Sequence, residues 1–142
     1  MTYLLDISVL LAWLWEQHEN HRRVLAWEAG QSIAVCPLTE LGFLRISTSP
    51  AFGASMEQAR EMLEDWLRQR QPQFVPCELR ALDGAAAPTG GKTTDFYFGN
   101  LAAARSMQWA TLDERSGHSA AFVIPQLPQT VPPTSPGLAS PT

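Results

Sequence analysis

A chain of 142 residues suits a single domain with a core of its own, needing no metal or disulfide staple. Its 45% apolar and 17% charged residues are those of an ordinary globular protein, and no apolar run reaches the roughly 18 residues that would cross a bilayer. A net charge of −4 argues against a nucleic-acid binder that relies on bulk electrostatics. The apolar start is interrupted by Asp6 and lacks a basic leader, so it reads as mature structure and not as a signal peptide. Cys36 and Cys77 form no metal-spaced motif, which points to a reduced, cytoplasmic protein.

In chain order, "TYLLD" reads as a short buried strand and "ISVLLAWLWEQ" as a helix with an apolar stripe. "ENHRRVLAWEAG" is a second amphipathic helix stopped by Gly30, and "SIAVCP" is a β-branched strand closed by Pro37. "LTELGFLRISTSP" is helical up to Pro50. "SMEQAREMLEDWLRQR" is the clearest helix, with Met56, Ala59, Met62 or Leu63, and Trp66 on one face. "QFVPC" is a short strand. "ELRALDGAAAPTGGK" begins as a helix and loosens into a loop. "TTDFYFGNLAAARSM" is a helix with Thr94 as its N-cap, "QWATLDE" a strand and "AAFVI" a last strand. Residues 1–124 thus alternate strand and helix, implying a three-layer α/β domain with a mostly parallel sheet of about five strands. Residues 125–142 hold six prolines and no charge, the composition of a disordered tail.

Four acids fall at the ends of these elements. Asp6 ends the first strand, Glu40 opens the helix after the second, Asp95 starts the helix after the Gly-rich loop, and Asp113 ends "WATLD". In a parallel sheet all four lie at the C-terminal edge, where α/β folds gather ligands. Each acid taken singly is accounted for by helix capping or the helix dipole. Together they would repel one another unless cations were bound, and carboxylate oxygens suit Mg²⁺ or Mn²⁺. Such a site supports phosphodiester cleavage by a metal-activated water. Setting these four acids aside leaves the remaining charge balanced, so if they hold divalent cations the acidity belongs to one site.

"LLDISVLLAWL" resembles the opening of PIN-domain proteins, and "VCPLTELGFLRISTSP" resembles the second motif of their VapC-type toxin branch. "TTDFYFGNLAAARSMQWATLDE" is similar to the family's third and fourth motifs. The resemblance implies a PIN-like fold and a Mg²⁺- or Mn²⁺-dependent endoribonuclease whose acidic set falls on Asp6, Glu40, Asp95 and Asp113. It matches Ser8 to the small polar residue that orients Asp6 or a metal-bound water. Thr39, Arg45 and Thr94 are further supporting candidates by position. Arg45, a turn beyond Glu40, could pair with a site carboxylate, an RNA phosphate or an antitoxin acid, or form a surface salt bridge. Thr94 reads first as a cap. The resemblance also implies an RNA substrate, a cognate antitoxin, a homodimer and no membrane association. Glu114 adds a charge beyond Asp113 and stands as a fifth ligand or a surface residue.

Two other readings stand beside this one. A PIN-like module without catalysis would hold RNA or a protein, though it would not need all four acids. A phosphatase-type hydrolase would use Asp6 as nucleophile, but such enzymes carry a second Asp two residues on, where this chain has Ser8. His18 and His21 lie in a polar stretch and read as surface residues. Asp83 in "RALDG" reads as a turn acid. Trp13, Trp15, Trp27 and Trp66 read as core or dimer interface.

Overall fold

A computed structural model describes residues 1–128. These run β1 (Thr2–Leu5), α1 (Ile7–Leu14), α2 (His21–Glu28), β2 (Ser32–Val35), α3 (Pro37–Ser47), α4 (Met56–Arg70), β3 (Gln73–Phe74), α5 (Thr93–Ala104), β4 (Gln108–Thr111) and β5 (Ala121–Val123). The strands form one sheet, entirely parallel, in the order β3-β2-β1-β4-β5. The chain builds outward from β1 to β2 and β3, then crosses over to add β4 and β5 on the other side. The C-terminal ends of β1 and β4 therefore flank the point where strand order reverses, which is where open α/β sheets bind ligands.

Successive side chains of a strand point to opposite faces, and both faces are covered. Leu5, Ile33, Val35 and Ala110 pack beneath α1–α4, while Leu4, Ala34, Cys36 and Trp109 pack against α5. Three layers result, as the alternating pattern implied. Trp13, Trp27 and Trp66 are buried, with Trp13 and Trp66 edge to face at 5.2 Å, and Trp15 is half-buried. Arg23 is buried too: its Nε donates to the carbonyls of Ile124 (3.1 Å) and Pro125 (3.3 Å), pinning the end of β5. The remainder of the Pro-rich segment, residues 129–142, lies outside the described residues.

Three expectations are corrected. Met56 is 50% exposed, so the buried face of α4 is Ala59, Leu63 and Trp66. The helix begins at Met56 because Ser55 and Gln58 cap it reciprocally, each side chain taking the other's backbone N–H. No helix forms over 78–84: the Asp83 carboxylate accepts the Arg80 N–H at 2.7 Å and Gly84 adopts φ +78°, a turn that competes with helix. Thr94 is not a cap. A 3₁₀ turn at Gly90–Lys92 leads straight into α5, so the helix starts at Thr93 and Thr94 lies within its first turn.

The glycine in "TELGF" has a packing reason. A Cβ on Gly42 would fall 2.3–2.9 Å from Cδ1, Cγ1 and Cγ2 of Ile7, so α1 and α3 meet there with no room for a methyl. Gly42→Ala should therefore destabilise the protein by about 1–3 kcal/mol despite its better helix propensity, as read from the urea unfolding midpoint. An unchanged midpoint would mean that Ile7 can give way.

Candidate active site

Asp6 sits where β1 gives way to α1. Its backbone N–H donates to the Ala110 carbonyl at 2.9 Å, extending the β1–β4 ladder by one residue. Its side chain caps α1 by accepting the Ile7 N–H at Oδ1 (2.9 Å). Its Oδ2 accepts two hydroxyls, from Ser8 at 2.8 Å and from Thr111 at the end of β4 at 2.9 Å. Burial raises the Asp6 pKa, the Ser8 and Thr111 hydroxyls oppose that rise, and the Asp95 carboxylate adds to it. The capping reading and the functional reading of Asp6 are thus compatible, since only Oδ1 is used by the cap.

Thr111 ties two of the acids together. The hydroxyl that donates to Asp6 also accepts the Asp113 N–H at 3.1 Å. Asp113 lies two residues beyond β4, on an exposed loop, and not at the strand's last position. Asp95, in the first turn of α5, is half-buried: burial raises its pKa, nearby Lys92 lowers it and Asp113 raises it. Lys92 is the cation of this edge. Its Nζ donates to the Arg115 carbonyl at 2.8 Å and stands 3.6 Å from Asp113 Oδ2.

The Asp95 charge thus acts on Asp6 and the Asp113 charge on Asp95 across the β1–β4 edge, whereas Glu40 is set apart. Burial alone raises the Glu40 pKa. Its side chain borders a groove of about 320 Å³ between α3 and α4, beside Leu41, Arg60 and Glu64. Among the described residues, no three Asp, Glu, His or Cys side chains converge closely enough to hold a metal ion as they stand. The donors on the β1–β4 edge are nonetheless all oxygens, a set whose chemistry matches a hard divalent cation.

The supporting residues divide by contact. The Ser8 hydroxyl donates to Asp6 Oδ2. Thr39 is fully buried and donates to the Leu5 carbonyl at 2.9 Å, so it docks α3 onto the end of β1. Arg45 is exposed in the last turn of α3 and Thr94 is exposed at the start of α5. Glu114 is exposed. His18 and His21 are engaged with backbone: His18 Nδ1 accepts the Asn20 N–H and His21 Nδ1 meets the Ala12 carbonyl. Thr111 and Lys92 are the residues that the sequence reading missed as participants. The available signals were a hydroxyl two residues before Asp113 and the chain's sole lysine, in the loop leading to Asp95.

The sequence matches the PIN domain over residues 3–121. The chain belongs to the PIN-domain family. It is 32% identical over 124 residues to ribonuclease VapC44 of Mycobacterium tuberculosis, covering 80% of this chain and 87% of that protein. It is 30% identical over 118 residues to ribonuclease VapC38 of the same organism, covering 78% and 84%. Among solved structures, the fold is similar to a chain in the crystal structure of VapBC2 from Rickettsia felis bound to a promoter DNA fragment. That likeness has a TM-score of 0.57 at 12% identity, covering 87% of this chain and 97% of the other. The PIN-type α/β fold and the VapC-type resemblance read from the motifs are therefore correct.

An acid whose folded pKa is raised binds more protons folded than unfolded, so its contribution to stability falls as pH rises from the unfolded value through the folded one. The metal-free Asp6→Asn protein should consequently be more stable than the parent at pH 7. A gain of 1 kcal/mol corresponds to roughly 2–4 °C in Tm at this chain length. Below the unfolded value of about 3.9 the difference should vanish. Thermal melts in chelator at pH 7 and pH 3.5 measure this, and a less stable variant at pH 7 contradicts it.

Proposed function

We propose that this protein is a Mg²⁺- or Mn²⁺-dependent endoribonuclease, the toxin of a toxin–antitoxin pair, with Asp6, Glu40, Asp95 and Asp113 as its acidic set. The observation that carries the reading is the Asp6 carboxylate. It is enclosed by apolar strand and helix, and two hydroxyls oppose the effect of burial and favour its charged form. A purely structural cap needs neither the second oxygen nor the neighbouring acids. The relatives named as ribonucleases and the similarity to a chain of a VapBC complex support the same conclusion.

A divalent ion bound at this edge supplies activated water and offsets charge developing on the phosphate and leaving oxygen. Asp6, Asp95 and Asp113 would hold it from β1, α5 and the loop after β4, with Glu40 approaching from α3. Ser8 and Thr111 keep one oxygen of Asp6 in a fixed direction. Lys92 stands 3.6 Å from Asp113 and opposes the rise that burial imposes on the Asp95 pKa, so its charge complements this acidic edge. Arg45 lies exposed on α3, suited to an RNA phosphate or an acidic group of the antitoxin. A cognate antitoxin, a homodimeric state and a cytoplasmic location belong to this reading. Exposed Leu41, next to Glu40, offers apolar surface to a protein partner. The phosphatase alternative is disfavoured because the Ser8 hydroxyl, where a second acid would stand, donates to Asp6.

Asp6→Asn and Asp95→Asn should each abolish RNA cleavage and growth inhibition while leaving the circular dichroism spectrum unchanged. Parental toxicity in both would overturn the mechanism. Ser8→Ala and Thr111→Val should lower activity or Mn²⁺ affinity by about 10–100-fold, the usual effect of removing a group that orients a ligand. Each also removes a hydrogen bond that lowers the Asp6 pKa, so the acid limb of the pH–rate profile should move to higher pH. An unmoved limb would mean that Asp6 does not govern it.

A further inference from the structure

A cavity of about 370 Å³ lies beside the acidic edge, between the start of α5 and the loop that leads into it. Leu38 of α3, Ala85, Ala86 and Ala87 of the loop, and Thr94 and Tyr97 of α5 form its walls. Thr94 lines the cavity and the next residue of α5, Asp95, belongs to the acidic edge, so the first turn of α5 borders both. Its walls are apolar and aromatic, and the run of alanines keeps the space open. The volume is at the small end of the ~300–1,000 Å³ range of small-molecule pockets, enough for one ring system and too little for a folded peptide segment.

The cavity is held by a fixed scaffold. The Asn100 side chain accepts the Ala85 N–H at 3.0 Å and donates to the carbonyls of Ala85 (2.9 Å) and Asp83 (3.2 Å). Gly84, at φ +78°, lies so close to that amide that a Cβ would fall 2.6 Å from Asn100 Cγ. Tyr97 donates its hydroxyl to the Leu79 carbonyl at 2.8 Å, fixing the other end of the loop. Asn100 and Tyr97 are thereby committed to the loop. The exposed Thr94 hydroxyl has no hydrogen-bond partner among the described residues, although other side chains of this wall are paired.

We propose that this cavity receives one unstacked base of the RNA, from a nucleotide next to the bond that is cut, and thereby selects the cleavage position. The proposal rests on the ribonuclease reading above. Single-stranded RNA is recognised by splaying bases onto aromatic and apolar surfaces, with sequence read by groups at the base edges. A nucleotide whose phosphate sits at the acids carries its base, or its neighbour's, within reach of this opening. Lys92, between the cavity-lining threonines and Asp113, adds positive charge along the strand's path. A hydroxyl both donates and accepts, so Thr94 discriminates poorly between base edges. The cavity therefore selects by size, purine against pyrimidine, more than by hydrogen-bonding pattern.

Ala86→Trp fills the cavity from an exposed loop position outside the acidic set, and Ala87→Leu fills it partly should the first variant fail to fold. Cleavage ends of a long single-stranded RNA are mapped by sequencing for parent and variant, with KM and Mn²⁺ affinity measured on the full chain. The expected result is a lost or altered size preference at one position beside the cut. KM should rise by about tenfold or more, in line with loss of a stacked base, with Mn²⁺ affinity unchanged. Identical cut sites and KM overturn the base site while leaving the ribonuclease reading intact. A parent that cuts no RNA overturns that reading, and nucleotide titration then decides the cavity separately. In that titration the four 5′-ribonucleoside monophosphates are added to metal-free protein and amide NMR shifts are followed. Shifts at Ala85–Ala87 and Thr94 that Ala86→Trp removes support the base site. Shifts confined elsewhere, or produced there only by an antitoxin peptide, overturn it.

Discussion

Everything at the acidic edge follows from burying one carboxylate at the end of the central strand. β1 is flanked on both sides, by β2 and by β4, and the Asp6 carboxylate after it is shielded enough that burial raises its pKa. An ionised group in that position is costly unless hydrogen bonds replace its hydration. Three donors do so for Asp6, and each comes from a different structural event: the start of α1, a hydroxyl one helical step on, and the end of the adjacent strand. The last of these requires β4 to be beside β1 in parallel register, with Leu5 paired to Ala110 so that Thr111 falls level with Asp6. A sheet with any other strand next to β1 would leave that oxygen without its partner.

The second consequence is a charge problem shared among neighbours. Asp95 and Asp113 come from elements separated in sequence, yet each raises the pKa of another member of the group. Lys92 is placed by the 3₁₀ turn before α5 and spans the approach to both. It offsets part of the repulsion between them. The same turn also presents Thr93 and Thr94 to the adjoining cavity, so one short segment shapes both the acidic edge and its apolar neighbour.

Most of the fold was legible because periodicity reports which face of an element is buried; for α4 it gave Ala59 and Trp66, left Met62 or Leu63 open, and wrongly added Met56. Asp6 was legible as unusual because its neighbours on both sides are apolar. What escaped the reading depended on side chains meeting across space. The 78–84 stretch has helical composition, but the Asp83 carboxylate and the Asn100 amide hold its backbone in a turn, and Asn100 is distant in sequence. Thr94 had the residue type of a cap, yet the preceding turn already supplied the helix entry. Thr111 looked like an ordinary strand threonine, since nothing local shows that its hydroxyl faces Asp6. Glu40 was singled out by its place at the sheet edge and by motif similarity, since local chemistry alone does not separate it from a first-turn acid favoured by the helix dipole.

Glu40 is the acid least tied to the others, and its position is set indirectly. α3 is fastened at two points: Thr39 donates to the carbonyl of Leu5, and Gly42 closes against the side chain of Ile7. Leu5 and Ile7 are the residues immediately before and after Asp6. The helix bearing Glu40 is therefore registered against the two neighbours of the central carboxylate, without any contact between the carboxylates themselves. The position of Glu40 is thus tied to the backbone on either side of Asp6. The glycine and threonine of "TELG" are explained by packing and hydrogen bonding, and together they fix where the glutamate between them stands.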